Sequence, residues 1–506
     1  MEIIPKKIIS NSLSVLILTV LMYGCGSQTG GNEVPRGSQF VLSDIDPVER
    51  DFFDIKNSGV LRMITYYSSN TYFLNQGIEV GFEYELMKEF AREHDLALEV
   101  IIVGAEENPF DLLNEGVGDV IAANYTITPE RRNVAGFTRP YNIVDQIVVY
   151  SMKESLRPQT IEELSGSGIP VSVRRNSSYY FRLMDLVEQG YELEIDIISD
   201  AMDTEATLLR VANGDLRATV ADDNMFHAVN RYLEGLYTGP VISEADTIAW
   251  AIRSNAPDLE SRMNRYLHRH FRFNEERQPR RSTFLNVLRR KYFEESRQMA
   301  EYYNPEWQYQ SLGIISPYDD MVKMVADSLD LDWLLITAMI AQESGFNPNS
   351  KSWAGAVGLM QIIPRFVETP YELLYDEMTN LQVGASIFRE HLDHYSYMDP
   401  DNQVAFALAT YNVGLGHMAD ARRLVIDRNR NPNQWSEVSE ALLRLMQRRY
   451  YEQARFGFAR GIEPVQYVEE ILNRYRTYQA IIALAESQQQ GGFTNLTGFS
   501  AITRQP

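Results

Sequence analysis

Cysteine is almost absent from this chain, because Cys25 is the only one among 506 residues. A single cysteine cannot form a disulfide within the chain, so no disulfide framework supports the fold. Long apolar runs are lacking as well. The run from Leu13 to Tyr23 is too short to span a bilayer as a helix, which needs about 20 apolar residues, and no other segment is apolar enough. The sequence therefore predicts no membrane-spanning segment.

Positive charge is in deficit. The 47 Lys and Arg residues stand against 69 Asp and Glu, which gives a formal net charge of −22. This balance argues against nucleic acid and against an anionic surface as broad partners. The deficit is uneven, because residues 261–300 hold eleven Lys and Arg against four Glu. We interpret this stretch as a solvated helical connector that pairs with acidic neighbours, with contact to an anionic polymer as the alternative.

Patterns for metal, phosphate and serine chemistry are also missing. His391 and His394 are three positions apart on a polar helical stretch, and no third ligand is spaced to join them. The chain has no glycine-rich phosphate loop, and Ser344 has no neighbouring base that would make it a nucleophile. The sequence therefore predicts neither a metal nor a cofactor.

One carboxylate stands out, that of Glu343. In the run LDLDWLLITAMIAQES, Asp330 or Asp332 can cap the start of a helix. Ile336, Ile340 and Glu343 then follow at i, i+4 and i+7, which places them on one helix face. The glutamate thus continues the apolar, inward face, where burial disfavours its charged form.

The same glutamate lies in the last turn of the predicted helix, before Gly345 and Pro348 end it. The negative end of the helix dipole disfavours a second negative charge there. Burial and dipole both raise the pKa of Glu343 toward that of an acid which donates a proton near neutrality, as cleavage of a glycosidic bond requires. A partly exposed helix end or a structural ion pair is the alternative interpretation.

Other acidic residues are missing around this glutamate. The next one along the chain is Glu368, whereas most glycosidases use a pair of carboxylates. The small residues between the two allow close backbone approach and tight turns: Gly345, Ala354, Gly355, Ala356 and Gly358. The pattern is typical of the floor of a groove.

Four blocks in a fixed order carry a family resemblance: ESGFNPNSKSWAGAVGLMQIIP, NLQVGASIF, ALATYNVGLG and EPVQYV. They resemble the lysozyme-like lytic transglycosylases of the soluble-lytic-transglycosylase type. The resemblance places the catalytic acid on Glu343. It places substrate binding on Ser344, Gly358, Leu359, Met360, Gln361, Tyr411, Asn412 and Tyr467. The sequence departs from the family pattern at Thr410, where alanine is usual, and at Pro464, where threonine is usual.

The resemblance implies cleavage of the bond between N-acetylmuramic acid and N-acetylglucosamine without water. One glutamate protonates the leaving oxygen and then, as a base, helps the C6 hydroxyl to close a 1,6-anhydro ring. The substrate's acetamido oxygen supplies the stabilisation that a second carboxylate gives elsewhere, which fits the missing second acid. Tyr411 and Asn412 are expected to orient the glutamate or the acetamido group. The alternatives are a buried tyrosine bonded to backbone for Tyr411, core packing for Met360 and a helix cap for Gln361.

The amino terminus predicts where the chain works. Two lysines, the short apolar run and a small residue follow one another in the order of a secretory signal. Cys25 comes next and resembles a bacterial lipoprotein cleavage site; a plain signal peptide with an incidental cysteine is the alternative. We predict a signal peptide over residues 1–24, a lipid-anchored Cys25 and, from the Gly-rich and polar composition, a flexible tether over residues 25–44.

Residues 45 to about 270 alternate short apolar strands with helices, as in VLRMITYY, FEYELMKEFAREHD, LALEVIIVG and DVIAANYTIT. Such alternation predicts an α/β domain. The phrases GFEYELMKEFA, TITPERRNVAGFTRPY and LRATVADD resemble the bacterial family-3 solute-binding proteins, the amino-acid receptors of uptake systems. The resemblance implies a clamp of two lobes.

This second resemblance also implies a ligand site. The family's contacts to a ligand carboxylate fall on Thr126 and Arg131, and its contact to a ligand ammonium falls on Asp222. A surface arginine at a helix start and a cap at a strand end are the alternatives. Asn124 and Arg217 stand where the family usually has glycine and aspartate. These departures leave the ligand open between a free amino acid and a peptide fragment of the cell wall.

The order of the two domains resembles the membrane-bound lytic murein transglycosylase F family. We therefore expect a multidomain chain whose α/β two-lobed periplasmic-binding-protein-like domain is followed by a mainly α lysozyme-like domain. The predicted boundaries are 45–270 for the first domain, 271–305 for the basic helical connector, 306–485 for the second domain and 486–506 for a tail. The expected partners are peptidoglycan glycan strands, an amino-acid or muropeptide ligand and, through the lipid anchor, the periplasmic face of the outer membrane.

Two other functions fit parts of the sequence. One is a binding protein whose lysozyme-like domain has lost activity; the intact Glu343, GLMQ and TYN segments weigh against it. The other is a hydrolase of the goose-lysozyme kind, which also has a single clear acid but releases a reducing sugar end through water. The sequence separates these functions weakly.

Overall fold

A computed structural model describes residues 45–490, apart from residues 69, 105–106, 152, 199–202, 231–232, 234, 275–277 and 295–312. The predicted signal peptide, Cys25, the tether up to residue 44 and the end of the tail from residue 491 lie outside the described residues.

The first domain alternates strands with helices, as the sequence predicted. Its strands are β1 Val60–Thr65, β2 Phe73–Asn75, β3 Ile78–Val80, β4 Ala97–Ile102, β5 Val120–Ile121, β6 Gly136–Phe137, β7 Asn142–Ser151, β8 Pro170–Arg174, β9 Glu194–Ile198, β10 Ala218–Asp222, β11 Leu236–Ile248, β12 Ala251–Ile252, β13 Phe271–Phe273 and β14 Pro279–Arg281. Its helices are α1 Phe52–Ser58, α2 Phe82–Glu93, α3 Pro109–Asn114, α4 Pro129–Arg132, α5 Ile161–Leu164, α6 Ser178–Glu188, α7 Thr204–Asn213, α8 Asp223–Val229, α9 Pro257–His270 and α10 Thr283–Arg289.

Two five-stranded sheets form the two lobes, in the orders β4-β1-β5-β12-β6 and β11-β7-β10-β8-β9. In the first sheet, β1 pairs in parallel with β4, from Val60 opposite Ala97 to Thr65 opposite Ile102. In the second sheet, β10 pairs in parallel with β8 and antiparallel with β7. The chain crosses between the sheets before β7 and again after β11, so two connections join the lobes. The two-lobed α/β architecture is confirmed.

The ends of several elements place polar residues between the lobes. Every residue of β10, including Asp222 at its end, is buried, as expected for a strand covered on both faces. Helices α6 and α7 start with side-chain caps: the Ser177 hydroxyl accepts from the backbone N–H of Tyr180, and Asp203 accepts from that of Ala206. The carboxyl end of β10 and two helix starts thereby border the same space.

The basic segment after α9 differs from the predicted solvated helical connector. β13 and β14 form an antiparallel hairpin, and a π-helical turn, Arg290–Glu294, follows α10. Leucines and aromatics that alternate with the arginines are buried in the core of the first domain: Leu285, Leu288, Tyr292 and Phe293. The predicted pairing with acidic neighbours does occur, since Lys291 Nζ lies 2.5 Å from Glu85 Oε1. The excess of arginine and lysine had suggested a solvent-exposed segment, although these four apolar side chains hold it in the core.

The second domain is mainly helical. Its helices are α11 Asp319–Ser328, α12 Trp333–Ser344, α13 Glu377–His394, α14 Pro400–Ile426, α15 Trp435–Arg444, α16 Arg448–Tyr451 and α17 Ile462–Gln490, with 3₁₀ turns at Pro364–Phe366 and Tyr371–Tyr375. The last helix continues past the predicted boundary at residue 485. None of the helices among the described residues is long and apolar enough to cross a membrane.

The last helix, α17, joins the second domain to the first. It lies against β4, the strand at one edge of the first sheet. The Thr477 hydroxyl donates to the carbonyl oxygen of Val100 at 3.1 Å, and Arg476 pairs with Glu99 at 3.0 Å. One continuous apolar cluster includes residues of both domains. The edge of the first sheet is thus covered by a helix of the second domain.

Candidate active site and ligand cavity

Helix α12 places Glu343 at its carboxyl end. Asp332, one of the two predicted caps, accepts a hydrogen bond of 2.8 Å from the backbone N–H of Leu334. Ile336 and Ile340 are buried on the face that the sequence predicted. The helix ends at Gly345, whose φ of 57° is in the left-handed region that favours glycine. The predicted position of Glu343, in the last turn, is the observed one.

The carboxyl group of Glu343 is half-buried and has one hydrogen-bond partner among the described residues. The Tyr467 hydroxyl donates to Oε1 at 2.5 Å, and no described residue donates to Oε2. Burial raises the pKa of Glu343 to about 7, against the opposing effect of the hydrogen bond from Tyr467. Within the described part of the chain, no second carboxylate contributes to this pKa. The group can therefore hold and release a proton near neutrality.

Tyr411 lies beside this glutamate. Burial, and then the charge of Glu343, raise the pKa of Tyr411 well above its usual range. Its hydroxyl donates to the backbone carbonyl oxygen of Met360 at 2.9 Å. The tyrosine thus makes the backbone bond of the alternative interpretation and ties the GLMQ segment to the vicinity of the acid. Its contact with substrate stays a prediction.

Asn380, on helix α13, holds the same segment through side-chain hydrogen bonds to its backbone. Its Oδ1 accepts from the backbone N–H of Met360 at 2.8 Å, and its Nδ2 donates to the carbonyl oxygen of Val357 at 2.9 Å. Gly358 has φ of 81°, and a Cβ there would lie 2.1 Å from Asn380 Nδ2. Only glycine fits this position. The block that begins with Asn380 was part of the family resemblance, but no role was predicted for Asn380 itself. The signal available in the sequence was an asparagine one helical turn after the residue that caps the helix.

The side chains of Leu359 and Met360 have no exposed surface. Both pack into the core, as the core-packing alternative for Met360 had it, and a contact of either residue with substrate stays a prediction. Gln361 has φ of 49°, and its amide donates to the carbonyl oxygens of Gly358 and Ser350 at 2.9 and 3.2 Å. It therefore fastens a loop and does not cap a helix.

The remaining predicted contacts differ in exposure. The Ser344 hydroxyl donates to the carbonyl oxygen of Ile340 at 3.2 Å, which keeps it on its own helix. Asn412 is exposed, one residue after Tyr411 and two before Gly414, where a φ of 83° kinks helix α14. Among the described residues, no group of three His, Cys, Asp or Glu side chains is placed to hold a metal ion.

The three residues predicted to bind a ligand in the first domain line one cavity of ≈ 60 Å³ between the lobes: Thr126, Arg131 and Asp222. Arg131 is buried, and its Nη1 donates to the carbonyl oxygen of Thr126 at 2.8 Å, while its Nε has no partner among the described residues. Asp222 Oδ2 accepts from Asn124 Nδ2 at 3.1 Å, and no residue in the described part of the chain bonds to Oδ1. Burial raises the pKa of Asp222 to about 7.

The two departures from the family pattern have physical explanations. Asn124 has φ of 53°, in the left-handed region that asparagine tolerates best after glycine. Arg217 precedes β10, at the end opposite Asp222, and pairs with Glu154 at 2.6 Å. Sequence reasoning missed Glu83, which is fully buried and accepts from the backbone N–H of Asn124 at 3.1 Å. Glu83 thereby fixes the backbone of Asn124, which lines the cavity.

Comparison with known proteins matches both halves of the chain. Residues 320–434 match the transglycosylase SLT domain, and residues 61–295 match the bacterial extracellular solute-binding proteins, family 3. The chain is 30% identical to the membrane-bound lytic murein transglycosylase F of Desulfosudis oleivorans over 84% of this chain and 91% of that protein. It is 32% identical to the protein of that name from Shewanella woodyi, over 83% of this chain and 84% of that protein.

The chain belongs to the membrane-bound lytic murein transglycosylase F family. Its first domain is also similar to the arginine-bound form of truncated ArgBP from T. maritima, with 24% identity over 43% of this chain and 98% of that one, and a TM-score of 0.38. The match to the solute-binding family extends to residue 295 of this chain. That extent includes β13, β14 and α10, in agreement with the burial of the basic segment in the first domain.

Proposed function

We propose that the chain is a lytic transglycosylase that cleaves the bond between N-acetylmuramic acid and N-acetylglucosamine in peptidoglycan, without water. The observation that carries the proposal is the carboxyl group of Glu343. It lies at the end of a buried helix, its pKa is raised to about 7, and one of its oxygens is held by Tyr467. A general acid works best when its pKa lies near the working pH.

In the proposed reaction, protonated Glu343 donates its proton to the glycosidic oxygen as the bond to C1 of N-acetylmuramic acid breaks. The acetamido oxygen of the same sugar stabilises the positive charge that develops at C1. The C6 hydroxyl then bonds to C1, and its proton returns to Glu343. The acid is regenerated, and nothing besides the glycan is consumed.

The roles of the neighbouring residues follow from their contacts. Tyr467 fixes the orientation of the acid, and Oε2 is left to carry the proton that is transferred. Tyr411 and Asn380 hold the backbone of the GLMQ segment and are proposed to fix its position next to the acid. Gln361, Ser344 and the exposed Asn412 are the proposed polar contacts for sugar hydroxyl or acetamido groups.

Mass spectrometry of digested peptidoglycan tests the proposal. We expect products with 1,6-anhydromuramic ends from the natural protein and no products from Glu343→Gln, which is nearly isosteric but has no proton to transfer. The loss should reach about 10²–10⁴-fold or more. Reducing ends would instead indicate a lysozyme-type hydrolase. Cleavage at an unchanged rate by Glu343→Gln would remove Glu343 from the mechanism.

The first domain is proposed to sense a small zwitterionic ligand through Thr126, Arg131 and Asp222, and to regulate the cut. A guanidinium fork and a hydroxyl suit a carboxylate, and the free oxygen of Asp222 suits an ammonium. A receptor domain fused to an enzyme, without a permease in the chain, has more use as a sensor than as a carrier.

A contact between the domains supports regulation. Arg474, on α17, pairs with Glu79 of the first domain at 3.4 Å through Nη2 and donates to Gln342 Oε1 at 3.0 Å through Nη1. Gln342 directly precedes Glu343. Phe346 packs so closely on Gly77 that a Cβ at Gly77 would lie 2.2 Å from its ring. Both contacts of the first domain come from the β2–β3 hairpin.

The same hairpin begins next to the ligand cavity. Asn70 and Thr71 line the cavity, and β2 starts two residues later. The carbonyl oxygens of both residues accept hydrogen bonds from the start of α2. Ligand closure can alter cleavage only to the extent that it favours one arrangement of this hairpin over another. The proposed route from the ligand cavity through the hairpin to Glu343 is therefore short and runs through packed residues.

Membrane attachment is proposed to depend on a lipid on Cys25, with the protein on the periplasmic face of the outer membrane. The relatives are named membrane-bound. Cys25 follows a stretch with the pattern of an export signal.

A further inference from the structure

The ligand cavity contains a second guanidinium besides that of Arg131. Arg174, the last residue of β8, lines the cavity from the second lobe. It is half-buried, and its guanidinium makes no hydrogen bond or ion pair with the described residues. Its backbone carbonyl accepts from Ser177, which fixes the position of the residue at the cavity wall.

The other charged groups that line the cavity already have hydrogen-bond partners. Arg131 is tied to the carbonyl oxygen of Thr126 and stacks over the ring of Tyr125 at 4.3 Å. Asp203 caps α7 through a hydrogen bond of 2.7 Å from the backbone N–H of Ala206. Asp222 is held by Asn124. The carboxylate and ammonium of an amino acid would occupy Arg131 and Asp222, which leaves the charge of Arg174 uncompensated.

Arg131 and Arg174 also act on each other. Burial is the main cause of the lowered pKa of Arg131, and the positive charge of Arg174 adds to it. Two cations that face one small cavity from opposite lobes favour an anion between or beside them. When the lobes close on a ligand, Arg174 comes with the second lobe and Arg131 with the first. The cavity thus has one more positive charge than a simple zwitterion uses.

We infer that the cavity takes an α-amino acid with a second carboxylate in its side chain, which Arg174 binds while Arg131 and Asp222 hold the α-carboxylate and α-ammonium. The inference rests on the proposed sensing role of the first domain and specifies its ligand. Glutamate and aspartate carry this chemistry as free amino acids, and a wall-derived γ-glutamyl dipeptide with a free amino group carries it in bound form. The volume of ≈ 60 Å³ favours a single residue.

The same arrangement excludes other amino acids. A cationic side chain would meet Arg174, and like charges brought together without solvent are strongly unfavourable. A neutral amide fits the space of a carboxylate but forms no ion pair. Hydrogen bonds between two charged groups are stronger than those to a neutral amide, so glutamate should bind about tenfold or more tightly than glutamine.

Calorimetry on the full chain tests the inference with five probes: L-glutamate, D-glutamate, L-glutamine, L-arginine and the dipeptide γ-D-glutamyl-alanine. We expect one of the three acidic probes to bind at least tenfold more tightly than glutamine, and arginine not to bind. The free amino acids and the dipeptide distinguish the two sources of the ligand. Arg174→Gln should abolish the preference for acid over amide. Arg175→Gln, at the exposed neighbouring arginine, should keep it.

The outcomes separate this inference from the sensing role. If glutamine or an uncharged amino acid binds as tightly as the acidic probes, and Arg131→Ala abolishes that binding, the ligand site stands and the inference about Arg174 is wrong. If Arg174→Gln keeps the preference for acids, the inference is likewise wrong. If no amino acid or dipeptide binds at millimolar concentration, both the inference and the sensing role fail, while cleavage by Glu343 is unaffected.

Discussion

The Tyr467 hydroxyl donates a hydrogen bond of 2.5 Å to Oε1 of Glu343, although 124 positions separate the two residues in the chain. The bond has two effects on the acid. It orients the carboxyl group, and it stabilises the charged form, in opposition to the burial that raises the pKa of Glu343 to about 7. The working pH of the enzyme is therefore set by two residues on different helices.

Tyr467→Phe should raise the pKa of Glu343 further, because it removes the hydrogen bond that lowers it. The alkaline limb of the pH profile of cleavage reports the loss of the acid's proton. We expect this limb near pH 7 in the natural protein and at a higher pH in Tyr467→Phe, with a rate about tenfold lower at the optimum because the acid is less well oriented. Initial rates on soluble glycan strands between pH 5 and 9 measure both.

A matched control is available on the same helix. The Tyr475 hydroxyl donates to Asp332 Oδ2 at 2.5 Å, at the opposite end of α12 from Glu343. Tyr475→Phe removes a tyrosine–carboxylate hydrogen bond of the same kind and should leave the pH profile in place. An unchanged profile in Tyr467→Phe would show that the bond does not set the pKa of the acid.

Glu343→Gln should stabilise the protein at pH 8 but not at pH 4. The folded chain keeps the proton of Glu343 up to about pH 7, whereas an unfolded glutamate releases it near 4.5. Between these values the folded state binds more protons, so the stability of the natural protein falls as the pH rises. Glutamine does not titrate. The difference in unfolding free energy should grow by about 1–3 kcal/mol across this window.

Thermal unfolding of both proteins at several pH values measures this difference. The midpoint of Glu343→Gln relative to the natural protein should rise from pH 4.5 to 7 and then stay constant. A difference that is the same at every pH would mean that Glu343 titrates normally, and that its burial does not shift its pKa.

Arg474→Met should uncouple the domains. The substitution keeps the apolar stem but removes the bonds to Glu79 and Gln342. We expect the ratio of cleavage rates with and without a bound amino acid to approach one, while the affinity for that amino acid changes little. Cleavage assays at saturating and at zero ligand measure the ratio.

Arg476 provides the control for this experiment. It lies two residues further along α17 and pairs with Glu99 across the same interface, with a mostly exposed side chain. Exposed ion pairs of this kind contribute little. Arg476→Met should keep the full ligand effect. If Arg474→Met keeps it too, the proposed route through Gln342 is wrong.

Cys25→Ser should release the protein from membranes and leave cleavage by the second domain intact. Stable attachment would depend on the acylated cysteine. Fractionation after a salt wash, with a cleavage assay on the soluble fraction, measures both. Continued fractionation of Cys25→Ser with membranes would contradict lipid attachment at this residue.

The sequence predicted the position of Glu343 well because the signals were local. Helix periodicity, a capping aspartate and a terminating glycine all lie within α12, and they determine which face and which turn the glutamate occupies. The alternation of strands and helices was also sufficient to predict an α/β class for the first domain, and its two lobes were implied by the resemblance to the family-3 solute-binding proteins. These features depend on patterns among residues that are close together in the chain.

The parts that the sequence did not predict depend on distant contacts. The burial of Met360 follows from Asn380, which holds the segment from another helix. The free guanidinium of Arg174 is apparent only once Arg131, on the other lobe, faces the same cavity. The basic segment looked solvated because its arginines outnumber the few apolar residues that anchor it, among them Leu285 and Phe293.

The position of α17 on β4 has a consequence for any attempt to produce the receptor half alone. A first domain that ends at residue 295 would leave the backbone N–H and C=O groups of β4 without their helical cover. An uncovered, regular edge strand is a template for pairing with another chain. Copies of the separated domain would tend to pair with one another through Ala97–Ile102. The association measured in solution would then result from the truncation and not from the natural protein.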